Sequence, residues 1–231
     1  MNNAKLLIGS LSLILFSLFS CAPSAEQKDL FEGILTYKIQ FNPISGDSNY
    51  LAFQKQKYGG ALKMTISKDG NFRRDYLSSG ARGFDFVIFN VASNKLFGKW
   101  RTMDTVYSFD SGTNSLTLLS DTVVSGERIH GENCLGYRIL ANEPQLGQHA
   151  SFTYYYPQGK EYINPALYAK AKDGFYDMVI ARMQSPYYKL IMEMDGKLGK
   201  FAVTYEVEKI EKTILNPDVF ALPAGVPVVE K

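Results

Sequence analysis

Residues 31–41 read FEGILTYKIQF, and the alternation in this stretch decides the fold class. Phe31, Leu35, Tyr37, Ile39 and Phe41 share one face. Glu32, Thr36, Lys38 and Gln40 share the other, with Ile34 the exception. An apolar period of two predicts a strand with one face on a core and one toward water. Working outward, similar runs occur at 60–67, 71–77, 84–91, 95–100, 104–110, 134–141, 150–156, 187–194 and 200–211. They are short, rich in aromatic and β-branched residues, and separated by Gly, Asn, Asp and Ser. Close spacing favours antiparallel hairpins over parallel βαβ units.

Parity assigns register to two hairpins. Leu62, Met64 and Ile66 lie on one face, and Phe72 and Tyr76 must meet them. A two-residue loop at Asp69-Gly70 sets Ile66 opposite Arg73. A three-residue loop, Lys68 to Gly70 with Gly70 left-handed, sets Ile66 opposite Phe72 and Leu62 opposite Tyr76, so a type I turn with a G1 bulge is expected. Leu190, Met192 and Met194 have the opposite parity to Phe201, Val203, Tyr205 and Val207. They need an even loop, which Asp195-Gly196 can supply.

One segment breaks the alternation. Asn164-Pro165 opens a helical stretch over 164–184, with Asn as N-cap and Pro at the first helical position. Leu167, Tyr168, Ala171, Phe175, Met178, Val179 and Arg182 follow at helical spacing. Gly174 predicts a break near Asp173-Gly174, and Ser185-Pro186 ends the helix. The expected fold is mainly β: a curved antiparallel sheet, or open half-barrel, with one main helix on its concave side. Pro217, Pro223 and Pro227 predict an extended finish on the surface.

The composition suits this reading. The chain has 231 residues, 45% of them hydrophobic, with one Trp, fifteen Tyr and fifteen Phe, enough apolar material to exclude a disordered chain. A formal net charge of +2 gives no support to nucleic-acid binding.

The N-terminus has another character. Lys5 precedes an apolar run from Leu6 to Phe19, ended by Ser20 and Cys21, the plan of a secretory signal. The run is about fourteen residues, short of the roughly 20 that a membrane-spanning helix needs. Leu18-Phe19-Ser20-Cys21 resembles the lipobox of bacterial lipoproteins, with Leu three before the Cys and a small residue just before it. Phe19 departs from the small or β-branched residue usual there. The resemblance implies cleavage before Cys21, a diacylglyceryl thioether on its sulfur and an acylated amine. The division expected is 1–20 lipoprotein signal peptide, 21–29 tether and 30–231 a single β domain. Two or three acyl chains hold firmly where one is marginal. With Cys21 lipidated, Cys134 has no disulfide partner. It is read as a small buried apolar residue rather than a reactive thiol.

A lipidated Cys, an N-terminal strand, successive hairpins, a late helix, a closing strand pair and a terminal NPDVFALPAG together resemble the LolA/LolB-like proteins. Within them they resemble an uncharacterised Bacteroidetes lipoprotein family. RIHGENCLGYRI, residues 128–139, resembles a strand pair of that family. The resemblance spans most of 30–225. It implies an open β-barrel with a helical lid and an apolar cavity, of the kind that carries lipoprotein acyl chains in the best-known relatives.

Candidate chemical sites are few. His130 and Cys134 stand four apart in HGENC, which reads as a turn, with no further ligands to complete a tetrahedral set. No G-x-S-x-G occurs, and no residue sits in a recognisable triad context. Gly59-Gly60 and Gly80–Gly83 lack the lysine of a phosphate loop and read as turns. Asp75, Arg74, His130, His149 and Glu193 are the candidates for an enzyme, a hydrolase being the enzymatic alternative, and no two of His130, His149 and Glu193 are expected to meet in a pocket. Phe152, Tyr154 and Tyr156 suit a sheet core or a cavity wall. Arg74 falls on the face of Ile66 and Phe72, either at a cavity mouth or where the strand leaves the core.

The function expected is non-enzymatic: an outer-membrane lipoprotein, anchored through Cys21 and facing the periplasm, binding a lipid or other apolar ligand between sheet and helix, with no cofactor and no metal. The rival is a structural or interaction component of an envelope complex without a ligand cavity.

Overall fold

In a computed structural model, residues 29–145 and 147–231 are described; Cys21 and the rest of the expected signal and tether segments up to residue 28 lie outside them. The chain makes one open sheet of twelve strands. They are β1 (Gly33–Gly46), β2 (Ala61–Ile66), β3 (Phe72–Tyr76), β4 (Phe84–Asn90), β5 (Lys95–Trp100), β6 (Val106–Asp110), β7 (Thr117–Ile129), β8 (Glu132–Glu143), β9 (Gln148–Pro157), β10 (Lys189–Gly196), β11 (Gly199–Lys212) and β12 (Val228–Glu230). Their spatial order is β12-β6-β5-β4-β3-β2-β1-β11-β10-β9-β8-β7. Every neighbouring pair is antiparallel except β12 beside β6.

The first strand behaves as its pattern requires. Leu35 and Tyr37 are fully buried and Ile39 nearly so, while Lys38 and Gln40 are exposed. The first hairpin has Ile66 opposite Phe72 and Leu62 opposite Tyr76. Gly70 takes φ 83°, and its N–H bonds the Ser67 carbonyl, so the left-handed residue that this loop needs is the glycine. The second hairpin keeps its even loop but turns at Lys197-Leu198 instead of Asp195-Gly196. Gly196 faces Gly199 and Met194 faces Phe201. Moving the turn two residues along the chain extends β10 to Gly196, keeps the same inner face, and allows an ion pair between Lys200 and Asp195 at 3.0 Å.

The sheet is curved. Strands β3 and β9 are five places apart, about 24 Å in a flat sheet. Yet Arg74 of β3 and Tyr154 of β9 line one cavity, so the strands between them must curl. Across the concave face lies a lid, residues 163–184. Asn164 caps it by accepting from the Ala166 N–H, with Pro165 next. The expected single helix is instead three pieces: a 3₁₀ turn at Pro165–Tyr168, another at Asp173–Phe175, and helix α2 at Tyr176–Met183. Gly174 and Phe175 are both left-handed, at φ 58° and 60°. The loop after β6 holds this break, since the Ser111 carbonyl accepts from the N–H groups of Lys172 and Asp173. Tertiary hydrogen bonds have replaced those of a continuous helix.

Three features depart from the sequence reading. Helix α1 (Ser48–Tyr58) follows β1, capped by Asp47, whose carboxylate accepts from the Tyr50 N–H at 2.8 Å. It buries only Gln54 and Tyr58, so it has no apolar stripe to announce it. Strand β7 is a sheet edge exposed along most of its length, with little alternation to read. The C-terminal segment finishes on the surface as its prolines predict, but it is not extended throughout: it forms a strap on the convex face. It makes a 3₁₀ turn at Pro217–Phe220, packs Leu222 and Val226 against Phe86, Ile88 and Val106, and ends as β12 on the free edge of β6.

Candidate ligand-binding site

The concave face is covered unevenly. Over the central strands the lid packs closely. Phe72 stacks on Phe89 and on Tyr176, at 5.3 Å each. Phe89 stacks on Tyr168, whose hydroxyl donates to the Gly70 carbonyl at 2.6 Å. The space left between lid and sheet here is about 20 Å³, too little for a ligand. Space opens beside the lid. A cavity of about 210 Å³ lies against Arg74, with Tyr76, Tyr154, Tyr187 and Tyr205 around it. It shares Asp173 with a groove of about 450 Å³ on the inner face of β4–β6. It shares Tyr58 with a third hollow of about 320 Å³ under α1. The two larger hollows are of ligand-site size.

Local sequence builds the groove. A bulge at Asp85 shifts the β4–β5 register, so that Phe84 faces Trp100 while Phe86 faces Lys99. Without the extra residue Phe84 would point outward with Phe86 and Ile88. With it, Phe84 joins Val87, Leu96, Trp100 and Phe109 on the inner wall. Phe84 and Trp100 lie 5.2 Å apart. Gly98 forms the floor, and a methyl group there would touch only Phe109, at 3.9 Å. The floor is low because that residue has no side chain.

Arg74 dominates the electrostatics. Its guanidinium lies 4.9 Å from the centre of the Phe72 ring and 5.4 Å from that of Tyr176. The Nε is buried and has no hydrogen-bond partner. The residue keeps some exposure only because the cavity before it is open. Burial opposes its charge, but Tyr187, Tyr76, Tyr205 and Tyr154 outweigh that, and its pKa stands above the ordinary value. Tyr76, Tyr154 and Tyr205 are themselves neutral near pH 7. Burial holds Tyr154 and Tyr205 above their usual pKa, and it does so for Tyr76 too, where the field of Arg74 pulls the other way. At neutral pH they give Arg74 dipoles and ring faces, not a counter-charge. Asp173 is the acid facing it. Burial raises the Asp173 pKa against the pull of Arg74, and the two form no ion pair. At the α1 end, Lys57 sits 5.3 Å over the Tyr58 and Phe84 rings, its pKa lowered by burial and partly restored by Glu143.

The other candidate residues are scattered. Asp75 pairs with Arg73 at 2.8 Å on the convex face. His130 and Gly131 form the two-residue β7–β8 turn, with φ 50° and 79°. His130 is exposed, its ring edge-on to Tyr188. His149 is exposed on β9, and Glu193 on the neighbouring β10 faces Ser151. None of these three lines the hollows of the concave face. Cys134 is 3% exposed, and burial pushes its thiol up to about 11. Tyr154 and Tyr156 are buried, and Tyr154 serves as both core and cavity wall. Among the described residues no group of three or more His, Cys, Asp or Glu could hold a metal ion. Of the sequence candidates, Arg74, Phe152 and Tyr154 meet in one cavity. Reading residues 31–41 and 60–77 could not find Phe84, Trp100 or Gly98 as partners of that cavity, because a bulge and a missing side chain create the groove.

No family model matches the chain, so the Bacteroidetes lipoprotein family suggested by the sequence has no matching model behind it. No curated protein matches it either. Among solved structures the chain is similar to the lipoprotein LppX of Mycobacterium tuberculosis, at 7% identity and a TM-score of 0.36, over 80% of this chain and 89% of that one. At that identity and score the likeness transfers neither family nor function.

Proposed function

We propose that this protein is an envelope lipoprotein, anchored through Cys21, that binds a lipid or another apolar molecule on the concave face of its sheet without catalysing a reaction. The observation that carries the reading is the uncovered inner wall of β4–β6. A sheet of this size has apolar residues enough to close that wall, yet Phe84, Val87, Leu96 and Trp100 surround about 450 Å³ of open groove. Exposed apolar surface of this kind marks a binding site. Native mass spectrometry of protein purified from membranes tests it. A co-purifying lipid, lost when Gly98→Leu fills the groove, is the expected result. A bare protein mass from every preparation would count against it. For the anchor, radiolabelled palmitate should enter the wild type and not Cys21→Ser. The expected site is the outer membrane, facing the periplasm.

A second reading rests on the far edge. Strand β7 ends the sheet, unpaired on one side, and exposes Leu119 and Val123 by more than half. An open edge with apolar side chains can receive a strand from another protein. Charged residues inserted along β7 separate the two readings. They would abolish capture of an envelope partner and leave lipid binding intact.

A further inference from the structure

We propose that the ligand is a single-chain amphiphile with an anionic head, its head seated on Arg74 and its alkyl chain in the groove floored by Gly98. This deepens the lipid-binding reading and rests on it. A buried guanidinium without a counter-ion is costly, and Arg74 makes no ion pair with any carboxylate among the described residues. Its Nε is buried without a partner while its cavity is open. A carboxylate or phosphate monoester completes that set. One oxygen can take the Nε hydrogen, and Tyr154 and Tyr187 line the same cavity.

Size and polarity assign the rest of the molecule. The head cavity, at about 210 Å³, is narrow for a branched glycerol headgroup. The adjoining groove, at about 450 Å³, lies at the low end for ligand sites and suits one chain better than two. Its wall is aromatic and aliphatic on β4 and β5, with Asp110 and Lys231 at its border, and Asp173 lines both spaces. Asp173 is the acid that opposes an anion there, and removing its charge should strengthen binding.

The test uses the full-length protein in phosphatidylcholine vesicles, with photoactivatable C16 probes bearing a carboxylate, a phosphate or a neutral alcohol. The carboxylate and phosphate probes should both label wild-type protein, on peptides containing Phe84 to Phe109. Their ratio decides between a fatty acid and a phosphorylated head. Arg74→Gln should lower anionic labelling roughly 10- to 100-fold, the range for a hydrogen-bonded charge, and leave alcohol labelling unchanged. Arg74→Lys should restore part of the loss, and Asp173→Asn should raise anionic labelling. Circular dichroism confirms that each variant is folded. Equal labelling by acid and alcohol in Arg74→Gln and wild type, still mapped to the groove, would overturn the anionic head and keep the lipid-binding reading. Labelling by all probes that misses the groove and ignores Gly98→Leu would overturn both.

Discussion

The two halves of the concave face are built from the same kind of strand and used differently. Across β1, β2, β3 and β11 the inner residues are sealed under the lid: Tyr37, Leu62, Phe72 and Val203 are 0–2% exposed. On β4–β6 the only side chain sealed on the inner face is Phe89, at the lid; Val87, Leu96 and Trp100 stay half-buried, and the tight packing is on the opposite face, where Phe86, Ile88 and Val106 meet the C-terminal strap. The difference teaches that alternation marks two faces without saying which one becomes core. In the centre the lid takes the inner face. In the wing the strap takes the outer face, and the inner one is left for something else.

If that division is right, substitutions in the two regions should separate stability from binding. Phe201→Ala, in the sealed half, removes a ring 1% exposed and stacked 5.2 Å from Phe41. It should cost about 3–5 kcal/mol in urea unfolding. A cost below about 1 kcal/mol would erase the contrast with the wing. Tyr168→Phe strands the buried Gly70 carbonyl that the hydroxyl satisfies. It should cost about 1–3 kcal/mol and speed hydrogen exchange in the lid before the central strands. Uniform exchange across both would mean that the lid is not a separate cover.

Trp100→Ala sharpens the comparison from the other side. It removes ring contacts with Phe84 and Tyr107, at 5.2 and 5.7 Å, worth about 1 kcal/mol of stability. An environment-sensitive apolar dye should nonetheless lose most of its binding. A variant that loses stability but keeps dye binding would make the groove a core defect.

The smallest effect is expected at Cys134, far from both halves on β8. Its folded thiol ionises near 11 against an ordinary 9.0, with burial the main cause. The folded state therefore holds the proton more tightly. That contribution is whole below about pH 9 and is lost as pH rises through about 11. Unfolding midpoints of the wild type should fall over this window more than those of Cys134→Ala. Alkylation at pH 8 should be slow until denaturant is added. Fast labelling of the native protein would show that β8 opens locally.

Much of the central sheet was legible. Strand β1 and the Ile66–Phe72 register followed from side-chain parity, and Gly70 from the one turn that satisfies that parity. Asn164-Pro165 and Gly174 placed the start and the break of the lid. The even loop of the β10–β11 hairpin was right in parity and two residues off in place, because parity cannot distinguish registers that differ by a multiple of two. Helix α1 was hidden, since a helix lying on the surface needs no apolar stripe. Strand β7 was hidden because an exposed edge need not alternate. The groove was hidden for another reason: the Asp85 bulge reverses one residue's facing, and nothing local in FDFVIFN announces it.

Side-chain alternation and turn residues specify which residues share a face, where the chain turns, and that Arg74 stands among apolar neighbours. These follow from backbone geometry over a few residues, where alternation and glycine act directly. The packing of the whole sheet sets what Arg74 meets. It curls β3 toward β9, sets Tyr154 and Tyr205 around the guanidinium, ties the broken lid to Ser111, and sends the C-terminal strap to the outer face of the wing. Those outcomes depend on curvature summed over many strands and on segments more than a hundred residues apart competing for the same surface, and no local pattern encodes which one wins.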